Sequence, residues 1–365
     1  MQKKNKRLII TVVAAIFAFF TLACASAAGG QIQLDDRMLI QGIGIDQKEG
    51  EVLVSVHISQ PSQKEPSLEQ VKGETVLDAL DQLVQHSGKV PLYSHNLVVV
   101  LGKACGEEGL ERYMDFFARY YEARPSVEMF LAEKTAEEIF TYKEGEKTVT
   151  PEEIARMGQG GKINGWTVCT RVIDFVNQLL GEGSSPYMPV IGIQDGMVEV
   201  IGTAVFQGDK YSATLTPEES RILLLITKRL TGGQMVTELP EVGKITATIR
   251  QGSAQVTPSM EAGEPRLKIA ISCQVEISSA DHMDLQADTA VLPQLEKALA
   301  SQLQENAADT LEKTLRKGQT DPFGFGRQIM QEQTAWWKEN GENWQEWLKK
   351  IPVTVEAQVS VESAG

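Results

Sequence analysis

The chain has 365 residues, 42% of them hydrophobic, and sets 35 basic against 49 acidic side chains for a formal charge of −14. That apolar content supports real cores in two or three domains and excludes a disorder-dominated chain. The negative balance repels nucleic acid and anionic lipid, so a nucleic-acid partner is set aside and any membrane attachment has to be hydrophobic or covalent.

Lys3, Lys4, Lys6 and Arg7 precede an apolar run over residues 8–22, short for a membrane span and suited to a signal core, which predicts an exported protein. The run ends Thr21-Leu22-Ala23-Cys24, which resembles a bacterial lipobox with Cys24 as the lipidated residue. Thr21 stands where a larger aliphatic residue is usual, and Ala25-Ser26-Ala27 offers an ordinary signal-peptidase site as the rival reading. Residues 1–24 are thus read as a signal sequence and 25–34 as a small-residue tether. Two or more acyl chains would anchor such a protein stably, where one would be marginal.

Residues 35–195 read as a mixed α/β domain. Strands are predicted at 38–45 and 52–58, joined by a polar loop ending at Gly50, and residues 60–67 read as a loop. Gly42-Ile43-Gly44 lacks the third glycine and following helix of a dinucleotide fingerprint. Thr75 caps a helix with Val76, Leu77, Leu80, Leu83 and Val84 on one face, and Gly88 closes it. A strand at 97–101, a helix at 110–121 and a strand at 127–131 make a β-α-β unit, so this sheet is expected to be mixed and covered by helices. Thr135 with Glu138, Thr150 with Glu153 and Thr216 with Glu219 each fit a capping box, the last two with proline at the first helical position. Gly158-Gln159-Gly160-Gly161 reads as a flexible loop, and residues 168–180 as an amphipathic helix.

Strands at 187–193 and 197–206 flank Asp195-Gly196, a hairpin signal. Residues 196–238 are assigned to a small middle domain of hairpin strand and helix, with N-terminal segments as its alternative completion. Thr231-Gly232-Gly233 marks a compositional break, with the last boundary placed near 232–242. Residues 239–365 then form an α+β domain, an antiparallel sheet packed by one long helix. That helix is written by Leu292, Leu295, Leu299, Leu303, Ala307, Leu311 and Leu315, and Gly318 ends it. After it come the aromatic-glycine turn Asp321-Pro322-Phe323-Gly324-Phe325-Gly326, then Trp336, Trp337, Trp344 and Trp347, then strict alternation from Val353 to Val361. The turn is expected to be a structural corner that locks the long helix onto the sheet.

No catalytic constellation is written in the chain. His57, His86, His95 and His282 lack H-x-x-x-H partners, and there is no nucleophile elbow or Walker loop. Asp281, Asp284 and Asp288 lack the glycine and terminal glutamate of a calcium loop and read as a solvated turn. Without Cys24, the cysteines Cys105, Cys169 and Cys273 are odd in number and show no C-x-x-C spacing, and Cys273 in an alternating run reads as a buried hydrophobe. No enzyme and no cofactor are expected. His95 and Asn96 could read a ligand or pin a strand entry, and Arg119, Glu122 and Arg124 a local ion-pair cluster or an anion site.

Several stretches together resemble the spore germinant receptor C-subunit family. They are Gly42-Ile43-Gly44-Ile45-Asp46, the run from Tyr93-Ser94-His95-Asn96 to Gly102, Gly202-Thr203-Ala204-Val205-Phe206 with Asp209-Lys210, Asp321 to Gly326 with Trp337 and Asn343-Trp344, and the closing strand. The match runs in order over nearly the whole mature chain. The resemblance implies a three-domain α+β lipoprotein without known catalytic residues, anchored by an acyl group at the outer face of the spore inner membrane. It further implies a nutrient-responsive receptor with two integral membrane subunits, A-type and B-type, the latter transporter-like. Ala25 stands where the family commonly has an aromatic residue after its lipidated cysteine. Structural or interface roles are expected for His95, Asn96, Asp321, Phe323, Gly324, Phe325, Gly326, Trp337 and Trp344. The competing functional class is an extracytoplasmic solute-binding lipoprotein, which would need a polar-lined interdomain cleft.

Overall fold

The computed structural model describes residues 37–59, 66–120, 123–145, 147–240, 242–281 and 291–362, with Ile16 in addition. Cys24, the signal and tether, Tyr121, Glu122, His282, Asp284 and Asp288 lie outside the described residues.

The first sheet opens with β1 (Arg37–Lys48), β2 (Glu51–Ser59) and β3 (Ser67–Gly73), followed by α1 (Val76–Ser87), which Thr75 caps through Asp78 N and Gly88 closes in the left-handed region. β4 (Val90–Leu92) and a short 3-10 turn lead to β5 (Val98–Leu101). Then come α2 (Lys103–Glu108), α3 (Glu111–Arg119), β6 (Glu128–Ala132), α4 (Ala136–Thr141), the small hairpin β7 (Lys143–Glu144) and β8 (Lys147–Thr148), α5 (Pro151–Ile163) and α6 (Val172–Leu180). β9 (Tyr187–Gln194), β10 (Met197–Gln207) and β11 (Lys210–Leu215) complete it. The strand order is β11-β10-β9-β6-β5-β1-β2-β3, with β4 beside β1. Pairs β1–β5, β5–β6 and β6–β9 are parallel and the rest of that path antiparallel, so the sheet is mixed. Cores lie on both faces: α1, α3 and α6 cover one, with Phe175 and Tyr113 fully buried, and α4 and α5 the other, with Phe140 and Ile154.

α7 (Pro217–Ile226) joins the two halves. Every residue from Glu219 to Ile226 is buried, as expected of a helix with neighbours all round. Leu223 and Leu224 face the first sheet while Ile222, Leu225 and Ile226 enter the C-terminal core. The second sheet has order β12-β13-β14-β15, from β12 (Gln234–Leu239), β13 (Gly243–Glu261) and β14 (Glu264–Ala280) to β15 (Val353–Glu362). Its first three strands are antiparallel, and β15 returns parallel to β14 in register Leu267↔Val353 to Glu276↔Glu362. A parallel return needs a crossover that runs back along the sheet, and α8 (Leu292–Leu311) supplies it. Its stripe Leu295, Leu299, Leu303, Ala307 and Leu311 is buried on the sheet, and Leu315 continues it from a π-helical turn, Glu312–Lys317. α9 (Phe325–Glu332), α10 (Thr334–Asn340) and α11 (Trp344–Leu348) fill the chain between that turn and β15.

Two details differ from the sequence reading. Gly158 and Gly161 lie inside α5, because their bare backbones let the helix sit close: a Cβ on Gly158 would lie 2.7 Å from Phe130 Cζ, and one on Gly161 2.6 Å from Thr167 Cγ2. A division at 195/196 would cut the β9–β10 hairpin, whose strands belong to one sheet, so N-terminal strands complete the segment after 196. The C-terminal sheet begins at Gln234, inside the 232–242 window in which the last boundary is placed. All three helix starts carry the threonine cap; the boxes at Thr150–Glu153 and Thr216–Glu219 are complete, whereas at Thr135 only the threonine half is made.

Candidate interdomain clasp and contact surface

The aromatic-glycine turn is built around one buried carboxylate. Pro322 disfavours helix at Asp321, and Gly324 takes the left-handed φ of +76° that starts α9. The chain thereby folds back over Asp321, which is 1% exposed. Its Oδ1 accepts from Phe325 N (3.0 Å), and its Oδ2 accepts from Gly326 N (2.7 Å) and Trp344 Nε1 (3.1 Å). Two of these donors are orphan N–H groups of the first turn of α9, where a negative charge is also favoured by the helix dipole. Burial still pushes the Asp321 carboxyl up to about 6, and the N–H donors limit that rise.

The turn holds more than its own helix. Asp321 N donates to Ser185 Oγ (2.8 Å) and Ser185 N to Asp321 O (2.7 Å), across 136 residues of sequence. Arg327 N donates to Gly183 O (2.9 Å), its guanidinium reaches Ser184 Oγ (2.8 Å), and Trp337 Nε1 reaches Glu182 Oε2 (3.4 Å). The segment 182–185, between α6 and β9, is therefore clasped to the corner. A second joint lies beside α7, where Lys313 of the π-helical turn pairs with Glu219 and donates to Thr214 O. A π-helical turn breaks the register of the long helix, and this one falls where the helix has to reach α7.

The other expected site residues are distributed among similar joints. Phe325 is buried and Phe323 stacks on it at 4.9 Å between centroids. Trp337 and Trp344 are buried and tilted against each other at 5.5 Å, while Trp336 and Trp347 are half-buried and meet edge to face. Asn96 is buried and its Oδ1 has no hydrogen-bond partner among the described residues, whereas His95 is exposed, so the two side chains do not form one site. Asp46 accepts from Ala136 N (2.8 Å) and Glu137 N (2.7 Å) at the start of α4, and Gly42 lies beneath Pro151, with its missing Cβ 2.7 Å from the ring. Thr203 shares a buried hydroxyl network with Thr167 (3.1 Å) and Ser220 (2.9 Å). Asp209 accepts from Glu111 N at the start of α3.

His57 is buried against Phe140, and burial holds its imidazole below the ordinary value. Burial likewise pushes the thiols of Cys105 up to about 12 and Cys273 to about 11, which leaves both protonated and poor nucleophiles. Arg119 pairs with Asp115 within its own helix. Among the described residues no group of three or more His, Cys, Asp or Glu could hold a metal, and no helix is long and apolar enough to cross a membrane. Sequence reasoning missed an exposed apolar stripe on α6, Ile173 and Leu180 (78% exposed), flanked by Val176, and also missed Ile163 at the end of α5 and Trp166 beyond it. The spacing of Ile173, Val176 and Leu180 is helical, but periodicity alone does not say which face is covered.

Two family models together span nearly the whole chain. A family model described as the spore germination protein N-terminal domain matches residues 30–193, and one described as spore germination B3/GerAC-like, C-terminal, matches residues 201–365. The chain is 22% identical over 356 residues to spore germination protein GerQC of Bacillus cereus, covering 96% of this chain and 97% of that protein. It is 22% identical to spore germination protein KC of Bacillus subtilis, covering 91% of each. A solved structure, the crystal structure of the GerBC protein, superposes with a TM-score of 0.59 at 18% identity, covering 88% of this chain and 96% of that one. That likeness establishes the shared α+β fold.

Proposed function

The chain belongs to the spore germinant receptor C-subunit family, and on that premise we propose that it is a non-enzymatic subunit of a nutrient germinant receptor, acting by protein–protein contact at a membrane surface. The observation that carries the reading is the ordered match of both family domains along nearly the whole chain. The partners in this reading are two integral membrane subunits, A-type and transporter-like B-type. The anchor is an acyl group on Cys24, which places the folded part at the outer face of the spore inner membrane. The exposed apolar residues Ile173 and Leu180 on α6 support a contact role, since apolar side chains grouped on one helical face suit a partner surface. The clasp between residues 182–185 and the corner would hold that helix in fixed orientation to the C-terminal sheet.

Labelled palmitate is expected to enter the chain in sporulating cells, and Cys24→Ala to remove the label, release the chain from the spore membrane fraction and slow nutrient-triggered germination. An unlabelled chain, with the variant still membrane-bound and germination unchanged, would contradict the anchored reading.

A further inference from the structure

Arg221 is an anomaly of the interdomain helix. It is 6% exposed, and among the described residues its guanidinium has neither an ion pair nor a hydrogen bond, with Nε fully enclosed. A guanidinium stays charged even when buried. Burying it unpaired is strongly unfavourable, as is removing one partner of a buried ion pair. Glu218 attracts it through space but makes no ion pair with it among the described residues, so the cost is offset only in part. Glu219 beside it is committed to Lys313, and the buried Cys273 thiol is held protonated.

Two glycine loops close over the guanidinium. A Cβ on Gly233 would stand 3.2 Å from Arg221 Nε, and one on Gly165 3.7 Å from it. Both glycines have positive φ, +150° and +66°, so side chains are disfavoured there on two counts. Gly233 lines a cleft of about 410 Å³ walled by Trp166, Ile163 and Thr231, so at Gly233 the wall between cleft and guanidinium is only backbone. Trp166 is 45% exposed. At Thr231 this cleft continues into a neighbouring one of about 570 Å³ that carries Lys162, Arg171, Lys228 and Arg229 against the single acid Asp174. Arg171 is paired with Asp174 and Arg229 donates to Tyr187 Oη. Lys162 and Lys228 are exposed and have no ion pair among the described residues. The local balance is positive in a chain whose formal charge is −14.

We propose that this interdomain cleft binds a small oxyanion, a carboxylate or phosphate group, which neutralises Arg221 across the Gly165–Gly233 seam while Lys228 steers it in and Trp166 walls it. The proposal stands on the geometry of these residues and does not depend on the receptor assignment.

The test uses the full chain purified in detergent, titrated calorimetrically with sodium acetate or with inorganic phosphate against chloride at constant ionic strength. One of the two probes is expected to bind saturably at one site and to raise the unfolding temperature in proportion to ln(1 + [L]/Kd). Which probe does so distinguishes a carboxylate from a phosphate ligand. Arg221→Met, which keeps the side chain's bulk, is expected to weaken that binding about tenfold, the loss of a charge–charge attraction across the backbone wall. Without ligand it should unfold no earlier than the wild type, because the buried charge is gone. The exposed Lys228→Gln is expected to weaken binding about threefold, as for a surface charge, and it keeps the test open if Arg221→Met fails to fold. No saturable binding of either probe to the wild type, or affinity unchanged in Lys228→Gln and in any folded Arg221→Met, overturns the proposal.

Discussion

Gly326→Val should lower the unfolding free energy by about 3 kcal/mol or more, at the upper end for overpacking a filled core. A Cβ at this position would lie 2.6 Å from Trp344 Nε1 and 2.7 Å from Gly183 Cα, and neither can retreat. Trp344 is fixed by its bond to Asp321, and Gly183 is fixed by Arg327 N. The two branches of valine would therefore push the corner away from the 182–185 segment and open the clasp. The measurement is limited proteolysis at constant time alongside urea unfolding. Early cleavage in the 182–185 segment or the corner, together with a lower midpoint, is expected. Protease resistance equal to wild type would show that the corner does not hold the halves together. Gly324→Val at the same corner acts differently, through the left-handed φ of +76° with open space around it, so its cost is backbone strain of about 1–3 kcal/mol without a clash.

Asp321→Ala should cost about 3 kcal/mol or more, because it orphans three buried donors, Phe325 N, Gly326 N and Trp344 Nε1, at roughly 1–3 kcal/mol each before relaxation. The pH dependence separates this from a simple cavity. The folded chain holds the Asp321 proton up to about pH 6, against an ordinary value of 3.8. This group's stabilising contribution is therefore full below that ordinary value and is lost as pH rises through about 6. The variant has no such group, so its urea midpoint should fall less steeply than the wild type's as pH is raised from 4 to 7. Trp344 emission in the wild type should also show an inflection near pH 6 that the variant lacks. Parallel pH profiles for the two chains would place the titration elsewhere.

How much of this could be read from the chain depends on the range of the interaction involved. Period and capping are local, so the alternation through Cys273, the stripe from Leu295 to Leu315 and the boxes at Thr150 and Thr216 specify their elements directly. Gly158 and Gly161 read equally as a flexible loop or as a close helix contact, and only their neighbours in space, the Phe130 ring for Gly158 and Thr167 for Gly161, decide. The parallel entry of β15 follows from the crossover geometry of α8, which no local pattern states. Asp321 was legible as a corner residue, but its partner Ser185 lies 136 positions away. Arg221 carried no signal at all, because a single arginine in an apolar helix normally points to water. Its burial arises only because α7 is enclosed by both sheets.

Affinity capture of the tagged chain from detergent-solubilised spore membranes tests the receptor reading most directly. Two polytopic membrane proteins, one of them transporter-like, are expected to co-purify with it in comparable amounts. Recovery of the chain alone, under conditions that keep the chain folded and membrane proteins soluble, would contradict a subunit that works by contact.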